Sequence, residues 1–307
     1  MFTRRECRPF QIKLIKLTVG RDDSGRRLDR VLRKALPDLP LSAIYRLLRK
    51  RFITVCKKTA SASTILNEGE TIFIKKIDLK NNVEPDVPVK IKKQLDIIFE
   101  NDDIFFINKA SGIVTHGNHS LTSFALAFLE SKLPASLSFT PGPLHRLDRE
   151  TSGIIAFSKS IKGAQWFSAA LRSGLVKKTY LALLKGNLSG EALWHDYLIR
   201  DSKKKLTVTG NGKPAVSFVT PLKQLNDATL VKIEIETGRT HQIRAQAAAR
   251  LHPLLGDEKY SGGKGGFFLH AWKIEFPPEN PLALPPVLTA PLSYNINPRL
   301  QAAELFV

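Results

Sequence analysis

The sequence is expected to fold as an α+β protein, a small α/β domain followed by a larger one built on a mixed, largely antiparallel sheet. Three observations lead there. Early in the chain two short amphipathic segments precede two short apolar runs, a helix, helix, strand, strand order. Farther on, two apolar runs separated by Glu100-Asn101-Asp102-Asp103 read as a hairpin, whose strands must run antiparallel. Between them, residues 79–88 are polar, proline-bearing and aperiodic, the composition of a linker. The expected division is a first domain at 1–78 with its core at about 25–76, a linker at 79–90, and a second domain at 91–307.

In the first domain, residues 26–35 place Leu28, Val31 and Leu32 on one side of a helix, which Pro37 and Pro40 stop. Residues 41–51 repeat the pattern with Leu41, Ile44, Leu47 and Leu48, while Arg46, Arg49, Lys50 and Arg51 crowd the remaining surface. One face is core and the other cationic. Phe52-Ile53-Thr54-Val55 and Thr71-Ile72-Phe73-Ile74 read as strands, the second entered through a turn at Gly69.

The second domain opens with the hairpin, residues 95–99 and 104–107. Ile154-Ile155-Ala156-Phe157 is uniformly apolar and reads as a buried strand. Ser160 can cap a helix in which Trp166, Phe167, Ala170 and Leu171 recur at helical spacing, and Gly174 ends it. Residues 177–184 form a strand with a basic entry. Val231, Ile233 and Ile235 alternate with Lys232, Glu234 and Glu236, the pattern of a half-buried strand, and the alanine-rich run at 240–250 favours a helix after it. The prolines around Pro291 read as a C-terminal loop, and no internal repeat is present.

With 307 residues, 43% of them hydrophobic and 24% charged, the chain can bury a sizeable core. Lys and Arg number 47 against 28 Asp and Glu, a net charge of +19, which favours a polyanionic partner such as nucleic acid. Cys7 and Cys56 are too few and too far apart for a disulfide framework or a cysteine-rich metal site. The charged start lacks the apolar core of a signal peptide and no run reaches membrane-spanning length, so a cytoplasmic protein without membrane contact is expected.

The chemistry concentrates in His145-Arg146-Leu147-Asp148-Arg149-Glu150-Thr151-Ser152-Gly153, which sets one carboxylate in a loop entering the buried strand. Taken alone, an Arg-x-Asp pair there reads as a local ion pair with turn chemistry. As a nine-residue run it resembles the H-R-L-D-x-x-T-S-G signature of the RluA family of RNA pseudouridine synthases. Lys178-Thr179-Tyr180-Leu181-Ala182 is similar to that family's K-x-Y-x-A motif, and Thr237-Gly238-Arg239-Thr240-His241-Gln242-Ile243-Arg244 to its T-G-R-T/S-H-Q-I/L-R element. Residues 108–116 resemble N-K-P-x-G-x-x-V-H, with Ala110 and Thr115 in place of Pro and Val. His252-Pro253 with 256–260 resembles H-P-x-x-G-D-x-x-Y, and Leu269-His270-Ala271 the L-H-A strand that closes the sheet; Gln246 stands where many members carry His. The first domain resembles the ribosomal-protein S-four-like RNA-binding domain, with Phe52 for the customary Gly and Cys56-Lys57 for Asn-Gly.

The resemblance implies an isomerase that converts uridine within RNA to pseudouridine in a central cleft, with no redox cofactor and no metal. By the family match Asp148 is the nucleophile, and a carboxyl that titrates near ~3.9 is ionised at neutral pH. Attack at carbon six of uracil, attack at the anomeric carbon and removal of a ribose proton all stay open. Arg244 is the implied cationic neighbour, suited by its fixed charge and forked donors. Arg146 is free to fill the space left by a flipped nucleotide, Tyr180 offers a flat face and a phenol for the late deprotonation, and Ile243 an apolar floor. Arg149 and Lys109 are candidates for phosphate, with His116 beside them, and Arg46, Arg49 and Lys50 for RNA contact from the first domain. The expected substrate is large-subunit ribosomal RNA, with transfer RNA as runner-up, and the expected state is a monomer. A non-catalytic RNA-binding or ribosome-assembly factor is the main alternative. A sugar-cleaving hydrolase fits less well, since the Asp148 motif has only Glu150 nearby as a second carboxylate.

Overall fold

The computed structural model describes residues 14–75, 95–133, 136–201 and 206–292; the expected linker at 79–90 lies outside the described residues. The chain divides into two compact units, Met1–Lys90 with Glu130–Thr140, and Ile91–Leu129 with Pro141–Val307.

In the first unit, β1 (Leu14–Thr18), α1 (Leu28–Ala35), α2 (Leu41–Arg49), β2 (Ile53–Val55), β3 (Lys58–Thr59) and β4 (Thr71–Lys75) follow in order, and the strands pair antiparallel as β1-β4-β2-β3. The two helices lay Leu28, Val31, Leu32, Ile44, Leu47 and Leu48 against Ile53, Val55, Ile72 and Ile74. Each of these buried aliphatic side chains contributes roughly 1.5–3 kcal/mol, and that single core holds the unit together. β1 escapes the sequence reading because three apolar residues interrupted by a lysine make too short a signal without β4 beside them. The Glu130–Thr140 stretch, which the sequence division leaves in the second domain, belongs here: Ser136 Oγ donates at 3.0 Å and the Leu137 amide at 2.8 Å to the buried Asp23 carboxylate.

The second unit runs β5 (Ile97–Glu100), β6 (Ile104–Lys109), α3 (Leu121–Leu129), β7 (Gly142–Pro143), β8 (Ser152–Ser158), α4 (Ile161–Arg172), β9 (Lys177–Lys185), β10 (Ala192–Asp201), β11 (Leu206–Thr209), β12 (Lys213–Gln224), β13 (Ala228–Ile235), α5 (Gln242–Ala249), α6 (Glu258–Ser261), β14 (Leu269–Glu275) and β15 (Val287–Thr289). Its sheet has the order β11-β10-β12-β13-β9-β14-β8-β6-β5, with β15 on β14 and β7 on β8. Among the pairings of described residues only β8 with β14 is parallel, so the sheet is mixed and largely antiparallel as expected.

One expectation is corrected. The Leu269-His270-Ala271 strand does not close the sheet but lies at its middle, joining β9 to β8. The junction demands glycine. Gly153 has φ +105°, and a Cβ there would lie 2.2 Å from the Ala271 carbonyl oxygen, so no other residue lets the two backbones approach this closely. Ser152 and His270 then tie the pair through an Oγ to Nδ1 hydrogen bond of 2.9 Å.

Gln246 anchors α5 on the β10–β12 ribbon. Fully buried, its Nε2 shares two N–H donors among Trp194 O, Ala215 O and Asp196, all within 3.1 Å, and its Oε1 accepts from Ser217 Oγ at 2.7 Å, so the amide is satisfied against the sheet. Among the described residues no helix is long and apolar enough to cross a membrane.

Candidate active site

Asp148 sits on a loop whose carbonyls are pinned one after another. Thr115 Oγ1 donates to Leu147 O at 3.0 Å, Lys109 Nζ and the Gly112 amide both donate to Arg149 O at 2.9 Å, and Ser111 Oγ donates to Glu150 O at 2.8 Å. Buried Leu147 plugs the loop from below. At its start, His145 Nε2 accepts the Ala156 amide at 3.1 Å and the ring stacks on Phe167; burial lowers its pKa to about 3, so the imidazole is neutral.

This geometry corrects the phosphate role expected of Lys109. Its side chain is 1% exposed, and its ammonium donates to Ala110 O at 3.0 Å and Ile113 O at 2.8 Å besides Arg149 O. With three carbonyls filling its donors, it braces the Asp148 loop and does not face a phosphate. Burial lowers its pKa to about 8, opposed by the charges of Glu150 and Asp148.

Arg244 comes from α5, across from the loop. Its Nη1 donates to Asp148 Oδ2 at 3.0 Å, while Nε and Nη2 grip both oxygens of Asp257 at 2.7 and 2.8 Å. Asp257 is fully buried, so the fork orients the guanidinium and leaves one edge for Asp148. Tyr260 and Phe267 flank the guanidinium, its carbon 5.0 and 4.6 Å from their ring centres. Burial works against the charge, but hydrogen bonding and attraction from Asp257, then Asp148, outweigh it and raise the arginine pKa.

His241 approaches the same carboxylate, with Nε2 3.7 Å from Asp148 Oδ2 and Nδ1 3.0 Å from the Tyr260 hydroxyl. It begins α5 in a left-handed conformation, φ 54°, and burial is the main cause lowering its pKa. Tyr180 is buried and lines the cavity beside Asp148; burial first, and the Asp148 charge second, raise its pKa, so the phenol is protonated at neutral pH. Ile243, also buried, supplies an apolar wall.

Asp148, Tyr180, His241, Ile243 and Arg244 line a half-open cavity of about 190 Å³ that shares Arg146, Leu147, Asp148, His241 and Arg244 with a groove of about 870 Å³ bordered by His116, Lys259 and Phe267. Arg146 is exposed at the mouth of both, with no protein partner among the described residues. Arg149 is exposed on the groove side, where its Nε donates to Gly112 O at 3.2 Å and lies 3.6 Å from Glu150. Among the described residues no group of three His, Cys, Asp or Glu side chains is placed to hold a metal ion. Arg46 and Arg49 on α2, and Lys50 just past its end, are exposed in the first unit.

Sequence reasoning brought Asp148, Tyr180, Ile243 and Arg244 together through the resemblance, and the structure gathers them at one cavity. It missed Asp257, Tyr260 and His241. Each stands inside a quoted motif, but its part depends on a partner distant in sequence, such as Arg244 for Asp257.

Residues 103–249 match the family model described as RNA pseudouridylate synthase. Over 275 residues the chain is 32% identical to the ribosomal large subunit pseudouridine synthase C of Vibrio parahaemolyticus, an alignment spanning 84% of this chain and 87% of that one. The chain belongs to the RluA family of RNA pseudouridine synthases. A relative of the same description from Haemophilus ducreyi is 30% identical over 300 residues, 91% of this synthase and 92% of that protein. Among solved structures, human RNA pseudouridylate synthase domain containing 1 shares the fold, with TM-score 0.53 and 22% identity over 65% of this synthase and 84% of that chain. The synthase is thus an isomerase acting on RNA.

Proposed function

We propose that this synthase isomerises uridines in large-subunit ribosomal RNA, with Asp148 as its nucleophile. The observation that carries the catalytic part is the chain Asp148–Arg244–Asp257: a carboxylate at the cavity wall, oriented by a guanidinium that a second, fully buried carboxylate holds in place. The ribosomal part rests on the names of relatives that match along most of their length. Transfer RNA is the second candidate substrate, and a monomer in the cytoplasm remains part of the same reading.

In this reading the first unit is an S-four-like RNA-binding domain whose α2, with the residue that caps it, carries Arg46, Arg49 and Lys50 toward phosphates. The target uridine leaves the stack, and exposed Arg146, with no protein partner of its own, takes the vacated space. The uracil lies against Tyr180 and Ile243, facing Asp148. The bond from nitrogen one to the ribose breaks, the base turns, and carbon five joins the same ribose carbon. Carbon five then gives up its proton and nitrogen one gains one, so atoms balance with water as the only exchange partner. Arg244 stabilises Asp148 as an anion before attack and after its release. Arg149 stands at the groove edge to meet the backbone.

Mapping pseudouridine across total RNA from cells with and without the gene tests the substrate. Sites lost from large-subunit ribosomal RNA support the proposal; loss confined to transfer RNA replaces it, and no loss in any RNA removes it.

A further inference from the structure

Lys178 shares a face of β9 with Tyr180, two residues along the strand, while the intervening Thr179 is buried on the other side. Both side chains line the cavity that holds Asp148. The Lys178 ammonium comes to rest over the Thr237-Gly238-Arg239 turn, so close that a Cβ on Gly238 would lie 3.3 Å from Nζ. Among the described residues it has no hydrogen-bond acceptor and no carboxylate partner. Lys109 is the contrast, since its buried ammonium is given three carbonyls. An ammonium withdrawn from water without an acceptor is costly, and burial lowers the Lys178 pKa to about 8.

The surrounding charges leave that cation unmatched. His145, on the loop before β8, is neutral, and the Tyr180 phenol is protonated. Asp148 is taken by Arg244, with His241 at 3.7 Å on the same oxygen. Arg239 on the facing turn donates to Pro214 O, and Lys273 on β14 is paired with Glu275 at 3.0 Å. Arg146, also without a partner among the described residues, stands exposed at the mouth, so among the described residues Lys178 is the free cationic donor on the inner wall, beside the ring against which the base would lie.

We propose that Lys178 is a further catalytic residue, whose ammonium donates to a carbonyl oxygen of the flipped uracil and stabilises the negative charge that collects there during the isomerisation. This rests on the reading that the uracil seats against Tyr180. Every open route puts charge on a uracil oxygen. Attack at carbon six sends an electron pair through carbon five to the oxygen on carbon four, and cleavage of the glycosidic bond leaves the pair on nitrogen one and the oxygen on carbon two. Lys178 keeps its proton throughout, so the step needs no co-reactant. A cation already fixed beside the base stabilises such charge more than water does, because it need not reorient as the charge forms.

The test uses the full chain and transcripts of large-subunit ribosomal RNA carrying tritium at carbon five of uridine. Single-turnover tritium release is followed from about pH 6 to about pH 10 for wild type, Lys178→Met, Lys178→Arg and Asp148→Asn, with melting temperature and RNA affinity measured for each. The expected result is a loss of about 100-fold for Lys178→Met with folding and affinity kept. Wild type should also lose activity as pH rises through about 8, and Lys178→Arg should move that loss to higher pH because a guanidinium keeps its proton. Wild-type rates in Lys178→Met overturn the proposal, as does an alkaline loss that Lys178→Arg leaves in place. A wild-type rate that climbs through pH 8 also overturns it, since the neutral amine would then be acting as a base. Should Lys178→Met not fold, the wild-type and Lys178→Arg profiles decide. Turnover by Asp148→Asn would count against the nucleophile, whereas an inactive Asp148→Asn beside a fully active Lys178→Met removes Lys178 alone.

Discussion

Replacing Arg244 with lysine separates what its shape does from what its charge does. The guanidinium makes three charge-assisted contacts, two to Asp257 at 2.7 and 2.8 Å and one to Asp148 at 3.0 Å. An ammonium is a single point and cannot face two carboxylates in one plane. The buried Asp257 offers both oxygens and has no water to fall back on, so it captures the ammonium and Asp148 loses its donor. A hydrogen bond to a charged group is worth ~1.5–3 kcal/mol, which converts to a fall of about 10- to 160-fold in the chemical rate. Stability should fall as well, by about 1–2 kcal/mol, as one arm of the fork and the contacts with Tyr260 and Phe267 weaken. The assay is single-turnover tritium release from carbon five, because that proton must leave by whichever route the isomerisation proceeds. A rate within about twofold of wild type would refute the reasoning and leave Arg244 a structural residue only.

Other perturbations reach other parts of the molecule. Changing Arg46, Arg49 and Lys50 together to alanine should weaken RNA binding and reduce the slope of log affinity against log salt by about 2, read by titration at several ionic strengths; an unchanged slope would mean that α2 does not meet phosphate. Lys109→Met strips three carbonyls of their donor and should lower stability by about 3 kcal/mol, measured by thermal melting, with the RNA affinity of the folded protein kept. A loss of affinity without loss of stability would instead restore its phosphate role. His145 has a folded pKa of about 3 against an ordinary 6.5, so between those values the unfolded chain takes a proton that the folded chain refuses. Its contribution is complete above pH 6.5 and is lost as pH falls toward 3. His145→Gln, which keeps an acceptor for the Ala156 amide, should show a shallower loss of melting temperature over that range; an identical acid profile would contradict the assignment.

Where a stretch carries its own signal, the sequence could be read directly. Ile154 to Phe157 are apolar without interruption because β8 is covered on both faces, and Ser160 caps α4 through the Gly163 amide just where the pattern begins. β10 was not legible, because exposed Leu193, Tyr197 and Ile199 alternate with buried Trp194 and Leu198, so apolar residues fall on both faces and blur the period of two. Lys109 looked like a surface cation because nothing in its neighbours announces that three carbonyls will surround it. Asp148 and Arg244 lie 96 residues apart, and their pairing was reachable only through the resemblance; Asp257, which orients the guanidinium, stood in a recognised block with no sign of its partner.

The most direct test is pseudouridine formation by Asp148→Asn on an RNA that the wild type modifies, with RNA affinity measured alongside. Asparagine keeps the size of the side chain and removes the charge, so product should be absent after wild type has run to completion while affinity stays close to normal. Pseudouridine accumulating at the wild-type rate in that variant would show that the carboxylate held by Arg244 is not the nucleophile.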